Sequence, residues 1–155
     1  MLKQLETITQ VLDLHNYYRA QHQVGPLKLN NSLNNFAQEW ANRLASTGSF
    51  NHRSNNRYGE NLAMGSGHYG TMQSLVKGWY DEVRSYSFGW GGFSGSTGHF
   101  TQLVWRGSKS LGVGIATGRD GSTYLVCNYD PPGTTLFAHF VSKLREREKL
   151  IQTRH

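Results

Sequence analysis

The residues best suited to chemistry in this chain are two histidines and two glutamates, His52, Glu60, Glu82 and His99. Glu82 lies three residues after Trp79 and seven after Leu75, which puts it on the shoulder of a helix's buried face, while its neighbour Asp81 points to water. A half-buried carboxylate needs a partner. His99 stands where a Gly/Ser-rich stretch enters the next element, a position from which side chains are often presented to a cleft. His52 and Glu60 flank Arg57-Tyr58-Gly59 in another loop. These four supply general acid–base groups, but no nucleophile accompanies them. There is no Gly-x-Ser-x-Gly, Cys127 falls in an apolar strand, and Ser94 and Ser96 are merely nearby. Spacing alone does not bring the four together.

The elements that must position them follow from periodicity. Leu5, Ile8 and Leu12, with Val11, Leu14 and Tyr18, predict a helix from about residue 3 to 22, ended by Val24-Gly25-Pro26. Leu33, Phe36, Ala37, Trp40, Ala41, Leu44 and Ala45 predict a second, with Asn31 or Ser32 as N-cap and Gly48 as its stop. Met72, Leu75, Val76, Trp79, Tyr80 and Val83 predict a third. Leu111, Val113 and Ile115 then alternate with small residues, and Tyr124 to Cys127 is a continuous apolar run, with the turn pair Asp120-Gly121 between them. With Thr101–Trp105 as a preceding strand, these form an antiparallel meander. Helices segregated before a meander read as an α+β domain, with helices covering both sheet faces, and Phe88 to Gly98 as a long loop.

The chain has 155 residues, 37% of them hydrophobic, which fits one folded domain over 1–155. No apolar run reaches the roughly 20 residues needed to span a bilayer. One cysteine excludes an internal disulfide, and no hydrophobic signal core follows Met1-Leu2-Lys3, so an intracellular place is expected, with secretion as the alternative if an upstream segment had been removed. Leu2 offers no myristoylation site. Asn30-Asn31-Ser32 is a formal sequon, read by the same logic as chance. The net charge of +6 suits an anionic partner, and half of that excess lies between Phe137 and His155. There Phe140, Val141 and Leu144 follow Phe137 at helical spacing, with basic residues mostly off the stripe. Residues 137–155 therefore read as a basic helix or tail, lying on an anionic membrane or docked on its own domain.

Several motifs read as packing. Gly65-Ser66-Gly67-His68-Tyr69-Gly70 is a literal GxGxxG, yet it lacks a parallel βαβ frame and an acidic residue some 20 positions on, so it is a structural loop rather than a dinucleotide site. His15 and His22 are read as helix packing, Cys127 as a buried small hydrophobe, and the aromatic run Tyr86, Phe88, Trp90 and Phe93 as either packing or a lipid-facing patch. No nucleic-acid reading module accompanies the basic tail, so nucleic acid is not an expected partner.

Gly98-His99-Phe100-Thr101-Gln102-Leu103-Val104-Trp105 resembles the first signature of the CAP superfamily, and Tyr124-Leu125-Val126-Cys127-Asn128-Tyr129-Asp130-Pro131-Pro132-Gly133 resembles its second. Gly59-Glu60-Asn61-Leu62-Ala63, Trp79-Tyr80-Asp81-Glu82 and His15-Asn16 followed by Arg19 are similar to further landmarks in the family's order, together covering roughly residues 10 to 135. Thr134 stands where the second signature usually continues with Asn, a departure that touches the local turn. The resemblance implies a three-layer α/β/α sandwich around a mainly antiparallel sheet, with a tetrad of His52, Glu60, Glu82 and His99 lining a central cleft. Some members bind zinc through the two histidines, so the resemblance implies His52 and His99 as metal ligands, with zinc the one cofactor to expect and none required. The same pairs also suit a purely structural role, holding loops onto the helix. With few cysteines the chain resembles the Golgi-associated, plant pathogenesis-related branch. That implies association with the cytosolic face of membranes and self-association as a homodimer. The functional expectation is a non-enzymatic domain that binds anionic lipid or a protein partner, with a metal-dependent hydrolase or protease built on the tetrad as the alternative.

Overall fold

The computed structural model describes residues 1–89, 91 and 94–133. The tail 137–155 and the aromatics Trp90 and Phe93 lie outside the described residues. The order of elements is α1 (Leu2–Gln21), β1 (Lys28–Leu29), α2 (Asn31–Thr47), β2 (Gly59–Gly65), α3 (Met72–Asp81), α4 (Gly98–Leu103), β3 (Ser110–Thr117) and β4 (Thr123–Asp130). Short 3₁₀ turns at Gly67–Gly70 and Glu82–Ser85 flank α3.

The sheet runs β1-β3-β4-β2, antiparallel except for the short β1–β3 pair. It is buried on both faces, because side chains of a strand alternate and each set finds its own helical layer. Leu111 and Val113 of β3 with Leu125, Cys127 and Tyr129 of β4 pack under α1 and α3, against Val11, Leu75, Val76 and Trp79. Tyr124 and Val126 face the other way, onto Ala37, Ala41 and Leu44 of α2. The result is the expected three-layer α/β/α sandwich of α+β type. Each large apolar side chain so buried stabilises the fold by about 1.5–3 kcal/mol before entropy is counted.

The caps explain where helices begin and end. Asn30, rather than the expected Asn31 or Ser32, caps α2, its side chain accepting the Leu33 N–H at 2.9 Å. Gly48 closes α2 in the left-handed region at φ 69°, and the Thr71 hydroxyl caps α3. The loop at Gly65 to Gly70 follows an antiparallel strand, so its glycines serve close backbone approach: a Cβ at Gly65 would collide with the Tyr69 carbonyl.

The expectation that fails is the strand at Thr101–Trp105, which is the helix α4 with its C-cap. Phe100 and Leu103 bury at i and i+3, and the backbone N–H groups of His99 and Phe100 are both taken by Glu82, a partner no local pattern reveals. The third long antiparallel strand is β2, paired with β4 from Gly59↔Tyr129 to Gly65↔Thr123. Glu60 therefore belongs to a strand, not to a loop.

Arg19 is fully buried in the last turn of α1, and among the described residues it meets no carboxylate. Its guanidinium instead donates to the carbonyls of Gly25, Leu103, Trp105 and Ser108 at 2.8–3.2 Å, and burial lowers its pKa to about 10. Asn16 ties α1 to Leu27 through both amide groups. The landmarks Asn16 and Arg19 thus fasten α1 to the segments around Leu27 and Leu103–Ser108, while His15 joins α1 to β4 through the Tyr129 hydroxyl.

Candidate functional site

Two His–Glu pairs converge on one side of the molecule, one from each helical layer. After α2, the loop brings His52 back to β2, and its Nδ1 lies 2.8 Å from Glu60 Oε1. Glu60 is nearly covered and accepts four hydrogen bonds: His52 Nδ1 and the Arg53 N–H on Oε1, and the side-chain amides of Asn56 and Asn128 on Oε2. Asn128 sits directly across the sheet from Glu60. A carboxylate held at four points is a fixed base for the ring above it. The His52 pKa is raised by this hydrogen bond, with burial working against it.

The second pair comes from the opposite layer. Glu82 is the first residue after α3, in the 3₁₀ turn rather than on the helix itself, and its Oε2 lies 2.9 Å from His99 Nδ1. Its Oε1 accepts the N–H groups of His99 and Phe100 at 2.9 and 3.0 Å, so one carboxylate orients the ring and satisfies the start of α4. The Trp79 ring lies nearly parallel to the His99 ring, with centroids 6.3 Å apart. Asn61, next to Glu60 but facing the other layer, donates to the His99 carbonyl at 3.0 Å and to the Tyr129 hydroxyl at 3.2 Å.

His52, Glu60 and His99 line one open cleft of about 390 Å³, with Arg53, Asn56 and Gln102 also on its wall. Glu82 stands behind His99, outside the lining. The four residues are brought together as two pairs, and in each the glutamate engages Nδ1. A carboxylate on Nδ1 makes that nitrogen the donor, so Nε2 carries the lone pair when the ring is neutral. Among the described residues neither Nε2 has a hydrogen-bond partner, and no group of three or more His, Cys, Asp or Glu is placed to hold a metal. The glutamate oxygens are committed to the rings, to backbone N–H groups and, for Glu60 Oε2, to the side-chain amides of Asn56 and Asn128.

Asn61, Asn128, Asn56 and Gln102 were not singled out by residue chemistry. Asn128 could have been, because a side-chain amide in the apolar run of β4 must find partners. Its Oδ1 is buried with none among the described residues, while its Nδ2 serves Gly59 and Glu60. His15 also belongs to this framework: its Nδ1 meets the Val11 carbonyl and its Nε2 the Tyr129 hydroxyl at 2.7 Å, and burial lowers its pKa to about 4. It is packing, as its helix position suggested.

Residues 12–129 match the model of CAP, the Cysteine-rich secretory protein family. The chain belongs to this family. It is 42% identical over 130 residues to Golgi-associated plant pathogenesis-related protein 1 of Homo sapiens, a match covering 82% of this chain and 84% of that protein. It is 39% identical over 130 residues to Protein PRY2 of Saccharomyces cerevisiae, covering 83% of this chain but 38% of that protein. The structure of Schistosoma mansoni venom allergen-like protein 4 superposes with a TM-score of 0.71 at 23% identity, covering 84% of this chain and 90% of that one. The CAP chain therefore has this architecture in common with a sequence only distantly similar to it.

Proposed function

We propose that this chain is a non-enzymatic CAP protein that associates with an anionic membrane surface through its basic residues, and that its two His–Glu pairs form a ligand-binding cleft. One observation carries the non-enzymatic reading: among the described residues, no hydroxyl or thiol is hydrogen-bonded to His52 or His99. A nucleophilic mechanism needs such a group within reach of a base. Ser94 and Ser96 bond each other, Thr101 bonds the Gly98 carbonyl, and Ser108 bonds the Pro131 carbonyl. Cys127 is buried in the sheet, and burial pushes its thiol pKa well up.

The net charge of +6 supports the membrane reading, since a basic residue near an anionic surface contributes about 1 kcal/mol at low salt. So does 42% identity to a relative whose name is Golgi-associated. Co-sedimentation with vesicles tests it. Binding to phosphatidylserine-containing vesicles that weakens with added salt is expected; equal binding to neutral and anionic vesicles at low salt sinks the proposal.

A second reading, a metal-dependent hydrolase, has its own support in the open Nε2 atoms. Two neutral imidazoles, each oriented by a carboxylate, suit zinc, with water completing the coordination. Zinc held by His52 and His99 would supply a Lewis acid to the cleft. Calorimetric zinc titration of the purified chain and of a His52→Ala, His99→Ala variant tests the site. Zinc-dependent ester or peptide hydrolysis that this variant loses would favour the hydrolase over the non-enzymatic reading.

A further inference from the structure

Of the two edges of β3, β4 takes one along its whole length, whereas among the described residues β1 covers the other only at Ser110 and Leu111. An open strand edge is a row of backbone donors and acceptors that another strand can use. Beyond β1 that row is met by side chains of α2. The Val113 N–H donates to Asn34 Oδ1 at 2.8 Å, the Ile115 N–H donates to Gln38 Oε1 at 3.0 Å, and Gln38 Nε2 donates to the Ile115 carbonyl at 2.7 Å. Outward groups recur every second residue, so Thr117 continues the set.

We infer that Asn34 and Gln38 stand in for a missing strand and thereby keep the outer edge of β3 from pairing with β3 of a second copy of this chain. The repeats match. The row begins with the Asn30 N–H on the Leu111 carbonyl at 3.0 Å and advances four residues along α2 for every two along β3. Four helical residues rise about 6 Å and two strand residues about 6.8 Å, so a helix can keep pace with a strand over so short a row. α2 comes close enough because Gly112 and Gly114 face it, where a Cβ would strike the backbone of Leu33 and Ala37. The Gln38 amide is also fully occupied: Oε1 accepts from Gln4 Nε2 of α1 at 3.3 Å and Nε2 donates to Asn42 Oδ1 at 2.8 Å, which with the two bonds to Ile115 uses both lone pairs and both hydrogens. A strand arriving at this edge has to displace it.

The edge that Gln38 covers is complementary to itself. Gln38 gives Ile115 one acceptor and one donor, which is the exchange made by two residues in a hydrogen-bonded antiparallel pair. Ile115 of a second copy offers the same two groups about a two-fold axis, and Val113 then comes opposite Thr117 on either side. All three residues are β-branched, which suits paired strands. Asn34, Gln38 and Ile115 are half-buried and Thr117 is exposed, so the row lies at the surface, within reach of another chain. The inference concerns self-association and does not depend on the membrane or metal readings of the cleft.

Uncapping the edge in the full chain tests this. Gln38→Met keeps the length of the side chain and a good helix former but removes both bonds to Ile115, and Asn34→Ala added to it frees Val113. In sedimentation velocity across a dilution series, the double variant should half-dimerise at a concentration at least about tenfold below the parent. In dilute solution its Ile115 amide should exchange at least about tenfold faster than in the parent and slow again as the variant associates, while the amides of Leu125 and Val126 in β4 stay protected, which separates an open edge from unfolding. Ile115→Lys added to the double variant sets two like charges against each other at the two-fold axis and should return association to the parent's level. If the double variant loses protection in β4, Gln38→Met alone carries the same comparison. Association no stronger than the parent's, an Ile115 amide that stays slow in the dilute variant, or association that Ile115→Lys leaves untouched would overturn the inference.

Discussion

Glu82 holds His99 at two points, its Oε2 2.9 Å from the ring Nδ1 and its Oε1 2.9 Å from the backbone nitrogen of the same residue. A single carboxylate at the end of α3 thereby sets both the position of α4 and the tautomer of the imidazole that α4 presents. Ring orientation and helix start are coupled in a way that two separate residues would not produce.

Replacing that carboxylate by an amide should separate the two effects. Glu82→Gln keeps an oxygen for the N–H groups of His99 and Phe100 but offers an N–H₂ to Nδ1, so the favoured tautomer moves its proton to Nε2. Imidazole ¹⁵N shifts should report that exchange for His99 and not for His52. Loss of charge from these hydrogen bonds should cost about 1–3 kcal/mol in urea unfolding. An unchanged His99 tautomer would mean that Glu82 does not orient the ring.

For the other pair the signature is a titration. Glu60 raises the His52 pKa above 6.5 by hydrogen bonding, so this pair stabilises the fold most fully below 6.5, and the contribution fades as pH rises through the folded value. NMR titration of Glu60→Gln should find His52 shifted downward relative to the parent chain. Because the His52 side chain is 65% exposed, the change in overall stability should be small even where the shift is clear.

His15 works in the opposite sense. Its pKa falls from 6.5 to about 4 through burial, so the folded state keeps the ring neutral while the unfolded chain takes up a proton. The stability this lends is whole above pH 6.5 and is lost as pH falls towards 4, amounting to about 3 kcal/mol across that window. Unfolding free energies measured from pH 7 to 4 should show this slope, and His15→Gln should flatten it. Tyr129→Phe, which strips the hydroxyl from His15 Nε2 and from Asn61, should cost about 1–3 kcal/mol at pH 7.

Much of this frame was legible in the residues, and the exceptions share a cause. α2, α3 and the β3–β4 hairpin carry long, regular patterns whose burial is decided by the element itself. α4 is six residues long and owes its start to Glu82, seventeen residues away, so the run Thr101–Trp105 read as a strand. In β2 the adjacent Glu60 and Asn61 point to opposite layers and both find buried partners, which hides the alternation that marks a strand. The residue types of the site could be picked out singly, but their grouping came only from resemblance. Which glutamate meets which histidine depends on β2 lying beside β4, a long-range fact that no local spacing encodes.

The layering of the site can be tested from the far side of the sheet. β3 turns its leucine and valine towards α1 and α3 but its glycines towards α2, and a Cβ at Gly114 would lie 2.3 Å from the carbonyl carbon of Ala37 and 2.4 Å from the nitrogen of Gln38. Both are helix backbone, which cannot rotate aside, so Gly114→Ala must push α2 off the sheet. Overpacking of this kind costs about 1–3 kcal/mol where side chains can yield, and should reach or exceed the top of that range here, whereas Gly25→Ala, with open space around it, should leave the urea midpoint nearly unchanged. α2 leads into the loop that carries His52, while His99 hangs from α3 and α4. The ring resonances of His52 should therefore shift in Gly114→Ala and those of His99 should stay in place; equal shifts in both would mean that the two pairs do not belong to separately anchored layers.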